Sequence, residues 1–152
     1  MRPIVPLLAF TLVAPCPAVC QSLEGVWKPV EVVVDSGPDR GRHTADVQPG
    51  LLIFTKKHYS VNTVQGFKAR PIPSANATDE QLGLSFLSYT ANAGTYQRKG
   101  STLTFSPSVA KNPAVMAGKP LIMTARTKGD TLWSKAPLRG STATWTWVRI
   151  ER

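Results

Sequence analysis

Short runs rich in β-branched and aromatic residues, separated by clusters of glycine, proline and charged residues, recur from residue 23 to the end of the chain. The first run covers residues 23–34 and carries Gly25 two positions before Trp27. This pattern predicts a sharp bend into a long strand whose tryptophan is buried. Pro29 lacks a backbone N–H, so we expect a bulge or an unpaired edge position within that strand.

Seven further strands are predicted from the same pattern. Turns that contain lysine, at residues 56–57, 99–100 and 128–130, join neighbouring strands into hairpins. The seven strands cover residues 51–55, 59–64, 95–98, 102–106, 121–127, 131–135 and 142–150. The segments predicted to be irregular are residues 35–49, 65–77 and 107–118.

One helix is predicted at residues 79–88, between the two groups of strands. Thr78 followed three positions later by Gln81 forms a capping box, and two acidic residues occupy the first turn, where the helix dipole favours negative charge. Leu82 and Phe86 fall on one apolar stripe, so we expect this face of the helix to pack on the sheet.

The predicted fold is all-β. About eight strands form an antiparallel up-and-down β-barrel, since closure leaves no unpaired edge, and one short helix is inserted near residues 79–88. In the last strand Trp145, Trp147 and Arg149 share one face, so both indole rings point either into the barrel or out of it.

Several motifs, in this order along the chain, resemble the bacterial lipocalin-like domain family. The first is the Gly-x-Trp signature of lipocalin and calycin barrels, and the others span almost all of residues 21–152. The quoted segments are Leu23-Glu24-Gly25-Val26-Trp27, Pro49 to Thr55, Tyr59-Ser60-Val61, the helix with its acidic start, Ala93-Gly94-Thr95-Tyr96, Asn112-Pro113, Gly129-Asp130-Thr131-Leu132 and the Trp/Arg-containing end.

The resemblance implies a small barrel with an interior or mouth cavity for an apolar small molecule. In lipocalins a late arginine packs across the tryptophan of the first strand, so the resemblance gives Gly25, Trp27 and Arg149 a structural role in closing the barrel. The chain departs from these relatives at Phe105 and Ser106, where they often carry a pair of histidines, and at Asn92, where they usually carry a tyrosine.

Residues 1–20 have the order of a secretory signal peptide. A single positive charge at Arg2 precedes an apolar run and a zone of small residues, which places cleavage before Gln21, with Ala18 as an alternative last residue of the signal. Cleavage before Gln21 leaves residues 21–152 as one domain. The expected location is secreted or periplasmic. Acylation of Cys16 or Cys20 as a lipoprotein is the alternative. The apolar run is too short to span a bilayer, so no transmembrane segment is expected in the mature chain.

Cleavage at this position removes both cysteines. The mature chain would have no disulfide and no thiol chemistry, and its 132 residues are enough for an ordinary hydrophobic core. It would keep 17 basic and 9 acidic residues, a net charge of +8. This charge favours weak association with anionic surfaces, but the basic residues are scattered, which argues against a dedicated nucleic-acid site.

The remaining polar residues give no catalytic constellation. His43 and His58 have no cysteine companions and no metal-ligand spacing, so we predict neither a metal site nor a cofactor. A serine nucleophile would need a strand-to-helix elbow and an oriented base, and the nine acidic residues are widely spread. The chain is therefore more readily interpreted as a non-enzyme.

The aromatic residues are the better candidates for function. They are numerous enough to line a cavity that holds one small ligand, or alternatively to fill the core. Two indole rings pointing outward would instead form an exposed patch. The candidate ligand-binding residues are Phe54, Tyr59, Phe86, Tyr96, Phe105, Trp133, Trp145 and Trp147.

Two main functional hypotheses follow. In the first, an exported protein holds an apolar or amphipathic ligand in a barrel cavity. In the second, a filled barrel binds an acidic partner through its basic face. An isomerase or hydratase that works by cavity shape is the less favoured third reading, because a fold does not by itself specify a reaction.

Overall fold

The structure is a computed structural model that describes residues 22–65, 70, 72–138 and 140–152. Within this part of the chain eight long antiparallel strands close into a barrel, because β1 at the start pairs with β9 at the end. The all-β barrel prediction is confirmed. The predicted signal peptide and both cysteines lie outside the described residues.

The barrel is a meander in which each long strand pairs with the next. A two-residue strand, β2, adds to the edge of β1 outside this order. The strands are β1 (Gly25–Val34), β2 (His43–Thr44), β3 (Gly50–Phe54), β4 (His58–Val64), β5 (Tyr89–Lys99), β6 (Thr102–Ala110), β7 (Leu121–Lys128), β8 (Thr131–Leu138) and β9 (Ser141–Glu151), and the helices are α1 (Asp79–Leu87) and α2 (Pro113–Ala117).

Two ends of the barrel differ in their connections. Tight turns join β3 to β4, β5 to β6 and β7 to β8 at one end, which we call the closed end. The long connections of residues 35–49, 65–88 and 111–120 all lie at the other end, which we call the open end. Among the helices of the described residues, neither has the length and apolar character needed to cross a membrane.

At two positions the backbone of a neighbouring strand comes so close that only glycine fits. Gly25 has a φ of 125°, and a Cβ at this position would lie 2.3 Å from the carbonyl oxygen of Glu151, so β1 begins directly against β9. Gly94 lies at a bulge in β5, where a Cβ would lie 2.1 Å from the carbonyl oxygen of Ser106. The expected irregularity at Pro29 is present as a register shift between β1 and β9, and Pro29 itself is buried.

The expectation that the apolar face of the helix packs on the sheet is wrong. The capping box is present, with Gln81 N donating to Thr78 Oγ1 and Thr78 N donating to Gln81 Oε1. However, Leu82 and Phe86 are 49% and 53% exposed, and Ser85 is the buried residue of α1. In a closed barrel the apolar face of the sheet points inward, where a helix in a connecting segment does not reach it.

Two segments predicted to be irregular contain regular structure. Residues 35–49 include β2, which pairs with β1, and residues 107–118 include the end of β6 and the short helix α2. Asn112 caps α2, its Oδ1 accepting a hydrogen bond from Ala114 N at 3.0 Å. The Asn-Pro pair at the start of α2 is the sequence signal that the prediction missed.

Candidate functional site

The closed end of the barrel is sealed by Trp27 and Arg149. Trp27 is fully buried, and its Nε1 donates a hydrogen bond to Leu23 O at 2.8 Å. The Arg149 guanidinium lies 4.2 Å from the centroid of the indole ring. Arg149 also donates hydrogen bonds to the carbonyl oxygens of Glu24 and Ser22, and its Nε lies 3.2 Å from an Asp130 carboxylate oxygen. The first residues of the domain are thus tied across the barrel end.

An aromatic layer lies above this seal. Phe54 and Tyr59 are directly paired across β3 and β4, and both are buried. The Tyr59 and Phe105 rings meet edge to face with centroids 4.5 Å apart, and the Phe54 and Tyr96 rings do so at 4.9 Å. Such contacts are favourable by about 0.5–1.5 kcal/mol beyond the burial of area. This layer fills the barrel next to the closed end.

Closer to the open end, one group of inward-facing side chains is only half-buried, whereas Val34 and Ala143 at the same end are buried. The direction of this group follows from register. Val61 and Met123 are paired with the core residues Leu52 and Leu103, and Trp145 lies two positions from Trp147. Asn92 is paired with Val61, and Thr90 lies two positions from Asn92 on the same strand. We define this region as the cup, with the aromatic layer as its floor. The cup residues are Val61, Thr90, Asn92, Met123 and Trp145.

The cup combines apolar walls with one polar contact at its floor. Tyr59 donates a hydrogen bond from its hydroxyl to Asn92 Oδ1 at 2.7 Å. Burial raises the pKa of Tyr59 to about 12, so the phenol stays neutral and acts as a donor. Trp145 stacks on Trp147 with ring centroids 5.8 Å apart, and Trp147 Nε1 donates to Ser134 Oγ at 2.9 Å.

Apolar side chains that are exposed to solvent surround the open end. Those of α1 border a shallow groove that Arg70, Ile72 and Pro73 also line. We call the whole set the rim. The rim residues are Ile72, Leu82, Leu84, Phe86, Leu87, Val109, Met116, Leu121 and Ile122, each at least 40% exposed. Exposed apolar residues that form a contiguous patch are usually a contact surface for a ligand or a partner.

Six of the eight aromatic candidates lie on the interior face and two do not. Trp133 is paired with Thr146 and Arg126 on the outer face, and the Arg126 guanidinium lies 4.1 Å from its ring. Phe86 lies in the rim, where Lys111 Nζ is 4.2 Å from its ring. The six interior residues are Phe54, Tyr59, Tyr96, Phe105, Trp145 and Trp147.

Lysines cluster at the closed end, which the scattered sequence positions did not predict. The β3–β4, β5–β6 and β7–β8 turns are neighbours there, because β4 pairs with β5 and β6 pairs with β7. In the part of the chain that the structure describes, the lysines on these turns are exposed and form no ion pair. They are Lys56, Lys57, Lys99 and Lys128.

The two histidines are separated in space. His43, on β2, donates a hydrogen bond to a Glu31 carboxylate oxygen at 2.7 Å on the outer face, and His58 begins β4 at the closed end. The bond from His43, with a second from Thr146, lowers the pKa of Glu31. Among the described residues no group of three or more His, Cys, Asp or Glu side chains could hold a metal ion.

No protein-family model matches the chain, and no curated protein matches its sequence. The residues themselves therefore carry any functional argument. Four of the five cup residues were not predicted from the sequence: Val61, Thr90, Asn92 and Met123. The alternation along β4 and β7 gave a usable signal for Val61 and Met123, but the role of Asn92 depends on its contact with Tyr59.

Proposed function

We propose that this protein is an exported, lipocalin-like carrier that holds an apolar or amphipathic small molecule in the cup. The observation that carries the proposal is the exposure of inward-facing apolar side chains at one end of the barrel. Met123 and Trp145 pack against the core on one side and retain contact with solvent on the other. A small molecule would remove that surface from water, at about 25 cal/mol for each Å² of apolar area.

The asymmetry of the two ends supports this function. The closed end is sealed by Trp27, Arg149 and the aromatic layer, whereas the open end has long connections and the apolar rim. A ligand would enter between the rim residues and rest on the floor at Tyr59. Phe86 would contact the ligand at the rim, whereas Trp133 on the outer face has no part in this site.

Two parts of the proposal rest on the sequence. Export depends on the signal pattern of residues 1–20, and the lipocalin relationship depends on the motif order that begins with Gly25 and Trp27. Amino-terminal sequencing of the mature protein tests export, and it should begin at Gln21. A mature chain that begins at Met1 would contradict it.

The test of binding is titration of the purified protein with the hydrophobic dye N-phenyl-1-naphthylamine. We expect saturable, stoichiometric binding and quenching of tryptophan fluorescence. Met123→Trp should fill the cup with an apolar side chain and abolish binding. The matched control is Val148→Trp, because Val148 faces outward on β9, is 38% exposed and lies outside the rim. Equal binding by the two variants, or no saturable binding by the wild type, would refute the proposal that a ligand binds in the cup.

A second candidate function is adhesion to an anionic membrane surface through the closed end. The observation that favours it is the set of four unpaired lysines on three adjacent turns. Lysines on exposed turn tips are compact point charges on flexible stems, which suits a diffuse layer of anionic headgroups. The net charge of +9 for the whole sequence has the sign that this partner requires.

Sedimentation with vesicles of phosphatidylglycerol and phosphatidylcholine tests this adhesion. Binding should weaken as salt is raised, and Lys56→Gln/Lys57→Gln should weaken it further. Arg40→Gln/Lys119→Gln removes the same charge at the open end and should have a smaller effect. Vesicle binding that does not change with salt, or an equal loss of binding in the two double variants, would exclude the closed end as the membrane-binding surface. Binding to duplex DNA in place of vesicles would indicate another kind of partner.

A further inference from the structure

Two tyrosine–asparagine pairs lie on opposite faces of the same strand pair, β4 and β5. On the outer face Tyr89 donates to Asn62 Oδ1 at 2.8 Å, and on the inner face Tyr59 donates to Asn92 Oδ1 at 2.7 Å. The two pairs have the same geometry. They differ in what the amide nitrogen does.

The outer amide nitrogen has an acceptor, whereas the inner amide nitrogen has none among the described residues. Asn62 Nδ2 donates to Ser60 Oγ at 3.2 Å. Asn92 Nδ2 has no acceptor in the described part of the chain, although it carries two donor hydrogens. The bond from Tyr59 holds the oxygen of the amide, so the nitrogen is the end left for another partner. Because Asn92 is half-buried inside the barrel, this nitrogen is a donor within the cup.

The surroundings of Asn92 determine what kind of acceptor fits. The other cup residues are Val61, Thr90, Met123 and Trp145, and none of them is charged. Arg98 and Arg149, the inward-facing cations of the described strands, lie at the closed end beyond the aromatic layer. A carboxylate in the cup would therefore lack a counter-ion, and burying an unpaired charge is strongly unfavourable. Burying a neutral oxygen is much less unfavourable once that oxygen is hydrogen-bonded.

We propose, building on the carrier function above, that Asn92 Nδ2 donates a hydrogen bond to the neutral oxygen of an amphipathic ligand. The ligand class is an uncharged molecule with one polar head, such as a ketone, an ester or an alcohol. The head lies at Asn92 above the Tyr59 hydroxyl, and the apolar part contacts Met123 and Trp145 and extends towards the rim. Thr90, nearer the mouth on the same strand, is a second polar group that the ligand passes.

The experiment compares three probes of one shape: 2-acetylnaphthalene, 2-ethylnaphthalene and 2-naphthoate. Their dissociation constants are measured by displacement of N-phenyl-1-naphthylamine from wild type, Asn92→Asp, Asn92→Leu and Asn62→Asp. Asn92→Asp keeps an acceptor for Tyr59 but removes the donor, whereas Asn92→Leu removes both. Asn62→Asp makes the same chemical change in the outer pair and is the matched control.

We expect both Asn92 variants to bind 2-acetylnaphthalene about 3- to 10-fold more weakly than wild type, the typical effect of one neutral hydrogen bond. Binding of 2-ethylnaphthalene should change by less than about 2-fold in Asn92→Leu, and Asn62→Asp should resemble wild type. Wild type should bind 2-naphthoate more weakly than the ketone. That pattern would support the hydrogen bond from Asn92 Nδ2 to the ligand oxygen, which we call the anchor.

Two results would overturn the anchor while leaving the carrier function standing. One is an unchanged ratio of ketone to hydrocarbon affinity in both Asn92 variants, with dye still bound stoichiometrically. The other is tighter binding of 2-naphthoate than of the ketone in wild type. If wild type binds neither the dye nor any probe, the carrier function itself is refuted, and the anchor with it.

Discussion

Replacement of Arg149 by alanine should strongly destabilise the barrel, although Arg149 lies near the protein surface. Its side chain is 10% exposed, and it connects β9 to the segment before β1. The guanidinium donates to two backbone carbonyls, those of Glu24 and Ser22, and covers the ring of Trp27. The alanine variant would lose all three contacts and would leave the two carbonyls without their donor.

The magnitude follows from these contacts. A hydrogen bond to a charged group contributes about 1.5–3 kcal/mol, and a cation over an indole face contributes about 0.5–2 kcal/mol. The ion pair with Asp130 adds under about 1 kcal/mol, because the aspartate is 54% exposed. Neighbouring terms are not additive, so we expect a loss of about 3–5 kcal/mol in the free energy of unfolding. For a domain of this size that lowers Tm by about 10–15 °C.

The assay is urea denaturation followed by tryptophan fluorescence and by far-ultraviolet circular dichroism. The matched control is Arg126→Ala, because its guanidinium lies 4.1 Å from the ring of Trp133, but on the exposed outer face and without backbone acceptors. We expect the control to lose about 0.5–1 kcal/mol. Arg149→Lys should be intermediate, since lysine keeps the charge but not the forked donors. Equal losses in the Arg149 and Arg126 alanine variants would refute the sealing role.

Three further predictions concern the bulge and pH. Gly94→Ala should lower the free energy of unfolding by more than about 3 kcal/mol or prevent folding, because its Cβ would meet backbone atoms of Ser106 and Pro107. Gly83→Ala should stabilise the protein by up to about 1 kcal/mol, because no atom lies within 4 Å of the added Cβ. Thermal melts in which both variants shift equally would refute this. Tyr59, whose pKa is raised to about 12, should show no phenolate absorbance at pH 10, and stability should fall as pH rises from about 10 towards 12. This loss should be smaller in Tyr59→Phe, where Tyr96, whose pKa is also raised by burial, still contributes. The pKa of Glu31 is lowered by its hydrogen bonds from His43 and Thr146. Its contribution to stability is therefore present above pH 4.5 and is lost as pH falls through its folded pKa. Acid melts of Glu31→Gln should show a shallower loss of stability with falling pH.

Local sequence signals predicted much of the fold. The alternation of apolar and polar residues predicted eight strands, and the structure has all of them. The Thr78–Gln81 capping box placed the start of α1 correctly. These features depend on neighbours within a few positions along the chain, so the residues themselves contain the information. The pairing of β1 with β9 was also expected, because closure is the economical way for a meander to lose its edges.

The direction of individual side chains was harder to predict. Trp133 and Trp145 lie on strands that pair with each other, yet Trp133 faces outward and Trp145 inward. In a strand, direction alternates with every position, so it is fixed only when the register with the neighbouring strands is known. For α1 the amphipathic stripe was real, but its partner surface was the interior of a closed barrel, which a helix in a connecting segment does not reach.

The sequence by itself determined the fold class and the positions of the long strands, because both are encoded by local pattern, whereas the pairing of Arg149 with Trp27 was implied by the resemblance to known barrels. The tertiary structure alone decided which residues form the cup, that Tyr59 orients Asn92, and that lysines from three separate turns meet at one end. These arrangements depend on residues that are far apart along the chain, such as Tyr59 and Asn92, which are 33 positions apart. No local pattern specifies them, since they exist only once the barrel has closed in its particular register.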